Sequence, residues 1–245
     1  MTYSIAGRCA QTGMLGSIVT TSAVAVGNRC RFARAKCGVV LTQHRTDPRL
    51  GPLGLEFLAL GLTARETLSA LVASTPHHGW RQIAVIDAQG GSAHYSGARI
   101  RSMHAGVSGK YCVAVGNVLR RQEVPFAMVR AFEAEPARPL ADRLCAALRA
   151  GDAAGGEFKR VMSAALLVVA EHSFPYVDLR VDDHPDPIDE IARLWALYAP
   201  TADAYVARAL APDSAEAETL SVGYLTAEEA RALEARQEAA RTPTS

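Results

Sequence analysis

The sequence has little lysine and almost no net charge. Its 26 basic residues are offset by 25 acidic ones, which gives a formal net charge of +1 over 245 residues. The lysines are only Lys36, Lys110 and Lys159, and the arginines are scattered rather than arranged in a stripe. Because nucleic-acid-binding domains usually present a basic patch that neutralises phosphates, we expect no nucleic-acid partner.

Cysteine is also sparse, with five residues in the chain. No C-x-x-C pair occurs, so the spacing gives no indication of a zinc site. An odd number of widely separated cysteines predicts free, mostly packed thiols in a reducing compartment.

Long apolar runs are absent. The longest extends from Ala164 to Ala170, far short of the ~20 residues that a membrane-spanning helix needs. Arg8 and Cys9 interrupt the apolar run that a signal peptide would require near the start. We therefore expect no membrane partner and a cytoplasmic location.

The usual enzyme signatures are missing as well. The chain has no G-x-S-x-G elbow, no P-loop, no dinucleotide fingerprint and no H-E-x-x-H pair. Ordinary serine hydrolase, nucleotide-binding and zinc protease functions thus have no residues to carry them, and no cofactor is expected.

The pattern that is present predicts an α+β fold. Strands are predicted at residues 3–8, 17–26, 37–43, 81–87, 92–96, 111–115, 162–170 and 176–181, and helices at 51–60, after a Thr63 cap, at 123–133, 140–150 and 187–198. The sequence predicts a basic connector at 29–36, a turn at 103–106 and a flexible segment at 151–156. Strands and pairs of helices in this order favour two antiparallel sheets packed face to face with helices outside.

The composition changes near Pro212. We expect residues 1–210 to form one domain and residues 211–245 a polar extension. Thr226 and Glu229 predict the start of an Ala/Glu/Arg helix with almost no apolar face, followed by a disordered tail.

Thr2 is the first candidate catalytic residue. Removal of Met1 would leave a threonine with both a hydroxyl and a free α-amine, whose pKa of ~8 lets it act as a base at neutral pH. The predicted hairpin brings residues 20–22 close to Thr2, and Arg34 or Lys36 could converge on the same sheet edge. Thr at position 2 is also common by chance, so this pattern alone does not decide the function.

Two further candidates remain open on the residues alone. Asp182, Asp183 and His184 follow a strand and could surround a metal ion or a substrate, whereas Asp186 and Pro187 next to them could simply begin a helix. Asn117, in a Gly-Asn turn, could be a left-handed turn residue or an amide donor to an oxyanion. His104 lies in a predicted turn and could approach a pocket.

Several segments together resemble one bacterial family, known as domain of unknown function 1028. They are Thr2-Tyr3-Ser4-Ile5-Ala6, the run from Cys30 to Gln43, Thr46 to Gly54, Val85 to Gly90, Gly116-Asn117, and Val177 to Pro187. The resemblance covers about residues 2 to 200. It implies membership of the N-terminal nucleophile (Ntn) hydrolase superfamily, a four-layer αββα sandwich, and hydrolysis of an amide bond by the first residue of the mature chain.

The resemblance also implies roles for individual residues. Superfamily members place an acidic or hydroxyl group at the end of the second strand and a cation before the third, and the matching positions here are Thr21 and Ser22, then Arg34 or Lys36. We therefore expect Thr2 Oγ to attack a non-peptide or cyclic amide, the cation to lower the pKa of the amine, and Asn117 to hold the oxyanion. The expected substrate pocket consists of Thr21, Gln43, His44, Asp182 and His184, with no metal.

The alternatives are a non-catalytic protein that binds a small ligand on the same sandwich, and a metal-dependent hydrolase that uses Asp182, Asp183 and His184. A small-molecule substrate and a homodimer are expected under the first hypothesis.

Overall fold

The computed structural model describes residues 2–214 and 227–241, and the chain divides into units at residues 1–200 and 201–245. The described strands of the first unit are β1 (Thr2–Arg8), β2 (Leu15–Thr21), β3 (Arg31–Arg34), β4 (Gly38–His44), β5 (Arg81–Asp87), β6 (Ser92–Ser96), β7 (His104–Gly109), β8 (Cys112–Asn117), β9 (Ser163–Val169) and β10 (Val177–Val181). Its helices are α1 (Leu50–Ala59), α2 (Ala64–Ser74), α3 (Glu123–Ala134), α4 (Leu140–Ala153) and α5 (Pro187–Tyr198).

The strands form two antiparallel sheets. The six-stranded sheet has the order β10-β9-β2-β1-β8-β7, and the four-stranded sheet has the order β3-β4-β5-β6. β1 therefore lies in the middle of the larger sheet, paired with β2 on one side and β8 on the other.

The core consists of three apolar layers. Residues from both sheets fill the space between them, including Ala6, Leu41, Ala84 and Val115. Helices α3 to α5 pack on the outer face of the six-stranded sheet, and α1 and α2 pack on the outer face of the other. The predicted α+β sandwich with two antiparallel sheets and four layers is confirmed.

Burial on both faces explains why the central strands read as continuous apolar runs. Every residue of β2, β8 and β9 is buried, because helices cover one face of their sheet and the second sheet covers the other. The edge strand β7 is half-exposed and contains glycine. Its sequence therefore lacks the signal of a strand, and the predicted turn at 103–106 was wrong.

Two other local predictions need correction. Residues 31–34 form β3 rather than a connector, because pairing with β4 overrides the polar composition. Residues 151–156 are not a flexible linker: α4 continues to Ala153, and the chain leaves it through Gly155 and Gly156, whose φ values are 129° and 55°. Only glycine adopts these values without strain.

The helix starts were predicted more successfully. Thr63 and Glu66 form the expected capping box, in which Glu66 N donates to Thr63 Oγ1 at 3.3 Å and Thr63 N donates to Glu66 Oε2 at 2.9 Å. Helix α5 begins at Pro187 as predicted, but the Asp186 side chain makes no capping hydrogen bond, so that part of the prediction was wrong.

The second unit contains α6 (Ala202–Leu210) and α7 (Ala227–Arg241). The predicted boundary at residue 210 lies at the end of α6, whereas the chain divides ten residues earlier, after Pro200. The described side chains of α7, such as Glu228 and Arg231, are mostly exposed. The predicted disordered tail at 242–245 lies outside the described residues. In the parts of the chain that the structure describes, no helix is long and apolar enough to cross a membrane.

Candidate active site

One end of the space between the sheets is polar instead of apolar. Successive side chains of a strand point to opposite faces of the sheet. A residue two or four positions along a strand from a core residue therefore lies on the same face as that core residue. Ala6, Leu41, Ala84 and Val115 belong to the core between the sheets. At one end of the strands, the residues on these inward faces are polar. They are Thr2 and Ser4 on β1, Thr21 on β2, Gln43 on β4, Gln82 on β5 and Asn117 on β8. We call these six residues the polar end.

Thr2 is held at the start of β1. Its side chain is almost fully buried, with the residue 5% exposed, and its Oγ1 lies 3.3 Å from Thr21 Oγ1. Its carbonyl oxygen accepts a hydrogen bond from Gln43 Nε2 at 3.3 Å. Both sheets therefore fix the position of this residue.

A network of amide side chains lies beneath Thr2. Gln43 Nε2 and Asn117 Nδ2 both donate to Gln82 Oε1, at 2.7 and 3.0 Å, and Ser4 Oγ donates to Gln43 Oε1 at 2.7 Å. Gln82 Nε2 in turn donates to the Gly116 carbonyl at 3.0 Å. A buried network whose members are paired in this way is rigid, and it joins the two sheets at the polar end.

Gln43 was expected in the substrate pocket, but its environment favours a different role. The residue is completely buried, and its amide is engaged with Thr2, Ser4 and Gln82. We therefore assign Gln43 to positioning Thr2.

Asn117 is completely buried opposite Thr2 in the strand register. Its Oδ1 has no hydrogen-bond partner among the described residues, which is uncommon for a buried polar atom and indicates a place where a further group can bind. Only one Nδ2 hydrogen is used, by Gln82, so the amide retains one donor and one acceptor for a ligand.

Glu157 is a site residue that the sequence did not reveal. Its backbone forms a β-bridge with Leu119, just beyond β8, while its Oε2 accepts from the backbone N of Ser22, just beyond β2, at 3.2 Å. Because β1 lies between β2 and β8, Glu157 lies across the beginning of β1. The only sequence signal was a single acidic residue directly after the Gly155-Gly156 pair.

The pKa of the Glu157 carboxyl group differs from that of an ordinary glutamate. Burial raises its pKa to about 7, although hydrogen bonding by Ser22 acts in the opposite direction. Its Oε1 is buried and has no hydrogen-bond partner among the residues that the structure describes. A carboxyl group with a raised pKa thus lies across the start of the strand that Thr2 begins.

Two residues beside the polar end have strained backbones. His44 and Val118 directly follow Gln43 and Asn117, and their φ values are 69° and 54°. Positive φ is rare for a β-branched residue such as valine, and strain of this kind is concentrated at functional sites.

His44 Nδ1 donates to the Trp80 carbonyl at 2.8 Å, and burial lowers the pKa of His44 despite this bond. Burial therefore favours the neutral form of this imidazole.

Arg34 and Lys36 were expected next to the Thr2 amine, and this placement was wrong. Arg34 pairs with Gly38 in the β3–β4 register and forms an exposed ion pair with Glu56. Gln43, which contacts Thr2, is five residues further along β4, a distance of about 17 Å at the usual rise of a strand. The hairpin that carries both cations turns at the opposite end of the sheet.

Asp182 and His184 lie at the same end of the larger sheet as Thr2, but to one side. Backbone hydrogen bonds lead from Thr21 to Met162 and from Met162 to His184, so His184 is three strand spacings from β1, or about 14 Å. Asp182 pairs with Arg180 at 2.9 Å, and His184 Nδ1 accepts from the Asp186 backbone N.

The metal-dependent alternative therefore lacks its ligand set. Within residues 2–214 and 227–241, no group of three or more His, Cys, Asp or Glu side chains could hold a metal ion.

Comparisons with known proteins identify the family. The family of unknown function DUF1028 matches residues 2–191. A crystal structure of a DUF1028 protein from Silicibacter pomeroyi is similar, with 28% identity, a TM-score of 0.75, and coverage of 81% of this chain and 86% of that one. Anbu (ancestral beta-subunit) from Yersinia bercovieri has 10% identity and a TM-score of 0.40, with 83% and 97% coverage.

None of the curated proteins compared with the chain matches it. The family match extends over more than half of the sequence, and the chain belongs to the DUF1028 family.

Proposed function

We propose that this protein is an Ntn-type amidohydrolase that cleaves a non-peptide or cyclic amide C–N bond in a small molecule, with Thr2 as nucleophile after removal of Met1. The observation that carries this proposal is the placement of Thr2. It begins the central strand of the larger sheet, its hydroxyl is close to Thr21, and its carbonyl is held by Gln43.

The reaction follows from the groups around Thr2. The free α-amine takes the proton of Oγ1, and Oγ1 attacks the amide carbonyl carbon to form a tetrahedral intermediate. The remaining Asn117 Nδ2 hydrogen stabilises its oxyanion. The intermediate collapses with transfer of the proton to the departing nitrogen, and water then hydrolyses the ester on Thr2, releasing the acid.

Glu157 takes the place that we had expected a cation to occupy. It lies across the start of β1, where the α-amine of a processed Thr2 would be, and its Oε1 is available to accept a hydrogen bond from that amine. Such a bond directs the nitrogen lone pair toward Oγ1. Ser22 contributes by holding the carboxylate through its backbone N–H.

The test begins with the intact mass and N-terminal sequence of the purified protein. We expect a chain that starts at Thr2 and that reacts covalently with a β-lactone at this residue. Thr2→Ser should still be labelled and Thr2→Ala should not, whereas Thr12→Ala, at an exposed turn position, should react like the wild type.

Retention of Met1 throughout would leave the amine blocked and would move the assignment to a ligand-binding protein. Full labelling of a folded Thr2→Ala variant would exclude Thr2 as the nucleophile.

A further inference from the structure

A cleft of about 640 Å³ opens beside the polar end. It is lined by three arginines, Arg45, Arg99 and Arg101, together with Trp80 and Ser102. Its volume is in the range of pockets that bind small molecules.

Two residues of the cleft wall are direct sequence neighbours of residues at the polar end. His44 and Val118 also line it, and these are the two strained residues that follow Gln43 and Asn117. The residues that hold and face Thr2 are therefore bonded directly to residues of the cleft wall.

Within the described part of the chain, the charge of the cleft has no acidic partner: no Asp or Glu lines it, and Arg45, Arg99 and Arg101 form no ion pair. The neighbouring Arg81 provides a contrast, because its Nη2 lies 3.6 Å from Asp47 Oδ2. All three arginines are exposed, and guanidinium groups clustered without acidic partners among the described residues attract anions through their combined positive potential.

The geometry also suits an anion. The Arg45 guanidinium lies 4.0 Å from the centre of the Trp80 ring and that of Arg99 lies 5.8 Å from it, contacts that orient cationic groups on an aromatic surface. Guanidinium groups bind carboxylate or phosphate through pairs of parallel hydrogen bonds. Ser102, which also lines the cleft, has a buried Oγ without a hydrogen-bond partner among the described residues.

We propose that this cleft binds an anionic group, a carboxylate or a phosphate, on the molecule whose amide Thr2 attacks. The substrate class is then an amide that also carries a negatively charged group. The role of this molecule as a substrate rests on the proposed hydrolase function, whereas anion binding by the cleft does not.

Calorimetric titration with succinate and with inorganic phosphate, at constant ionic strength, tests anion binding. We expect at least one of these anions to bind, and the one that binds more tightly identifies the group as carboxylate or phosphate. The double variant Arg99→Gln/Arg101→Gln should bind it at least 10-fold more weakly. The control Arg65→Gln/Arg130→Gln removes the same charge from two exposed helical positions and should bind like the wild type.

Absence of binding for both anions, or equal affinity in the cleft variant and the wild type, would overturn the proposal. Circular dichroism of each variant establishes that it is folded.

Covalent labelling of Thr2 then connects the anion site to the reaction. A β-lactone that carries a carboxylate should label wild-type Thr2 faster than its methyl ester, and the cleft variant should lose this preference. An unchanged preference in the cleft variant would show that the cleft does not bind the substrate. Failure of both lactones to label Thr2 would count against the hydrolase, while the titrations would still decide whether the cleft binds anions.

Discussion

Thr2 and Asn117 lie directly opposite each other on the antiparallel strands β1 and β8, and both side chains point into the space between the sheets. Opposite residues of such strands have their Cα atoms roughly 5 Å apart. Among the described residues, one amide hydrogen of Asn117 is used by Gln82 and the other is not, so the pair places the proposed nucleophile opposite an amide donor held in position. The proposed acyl transfer needs a nucleophile and an oxyanion donor that are close together.

The first prediction concerns Asn117. Asn117→Ala should lower the rate of covalent labelling at Thr2 by a factor on the order of 10²–10³, the usual effect of removing an oxyanion donor. The rate is measured by quenching the labelling reaction at a series of times and determining the labelled fraction of the protein by mass spectrometry. Asn28→Ala, at an exposed position, should react like the wild type, and an unchanged rate in Asn117→Ala would show that the amide is not the oxyanion donor.

The second prediction concerns the centre of the amide network. Gln82→Met keeps the volume of the side chain but leaves Asn117 Nδ2 without its acceptor and removes one acceptor of Gln43 Nε2. Each buried donor left unpaired costs about 1–3 kcal/mol, so the free energy of unfolding should fall by about 3 kcal/mol. Urea unfolding measures this change. Gln89→Met in the exposed β5–β6 turn should change stability little, and an equal loss in both variants would contradict the network.

The third prediction concerns the pH dependence of stability. The pKa of Glu157 is raised to about 7 in the folded protein, so its contribution to stability is fully present below its unfolded pKa of about 4.3 and is lost as the pH rises through 7. In Glu157→Gln the substituted side chain is uncharged at every pH. The stability of this variant relative to the wild type should therefore increase between pH 5 and pH 8. The difference in Tm should increase by an amount on the order of 5 °C.

A surface carboxylate is the control for this measurement. The hydrogen bond from Arg34 lowers the pKa of Glu56, so Glu56→Gln should change Tm by a similar amount at pH 5 and pH 8. The same pH-independent behaviour in Glu157→Gln would mean that Glu157 is ionised normally.

The fourth prediction concerns the strained backbone at Val118, where φ is 54°. A protein with glycine in an ordered segment is normally less stable than one with alanine at the same position, but glycine adopts positive φ at no steric cost. Val118→Gly should therefore be more stable than Val118→Ala by about 1 kcal/mol. The two variants remove almost the same side chain, so urea unfolding isolates the backbone effect. If the alanine variant were the more stable one, the strain at this position would be negligible.

Much of the fold was predictable because its signals are local. The apolar runs of β1, β2 and β9, the Thr63 capping box and the start of α5 at Pro187 depend only on neighbouring residues. Strand β7 and strand β3 were not predicted, because their pairing partners rather than their composition make them strands.

The candidate site was only partly predictable for the same reason. The sequence by itself determined that a strand begins directly after Thr2, that a hairpin brings Thr21 beside it, and that the run of matching segments is typical of one family. Only the tertiary structure decided which residues surround Thr2. Gln43 contacts Thr2 from the second sheet and is itself paired with Gln82. Glu157, from a segment far along the chain, accepts a hydrogen bond from Ser22, just beyond the strand that carries Thr21.

Arg34 shows the physical reason most clearly. Alternation along a strand reveals which face a side chain occupies, but the direction of a hairpin and the packing of one sheet on another decide which end of the sandwich it reaches. Arg34 is close to Gln43 in sequence and at the opposite end of the sheet in space, whereas Asn117 is distant in sequence and directly opposite Thr2.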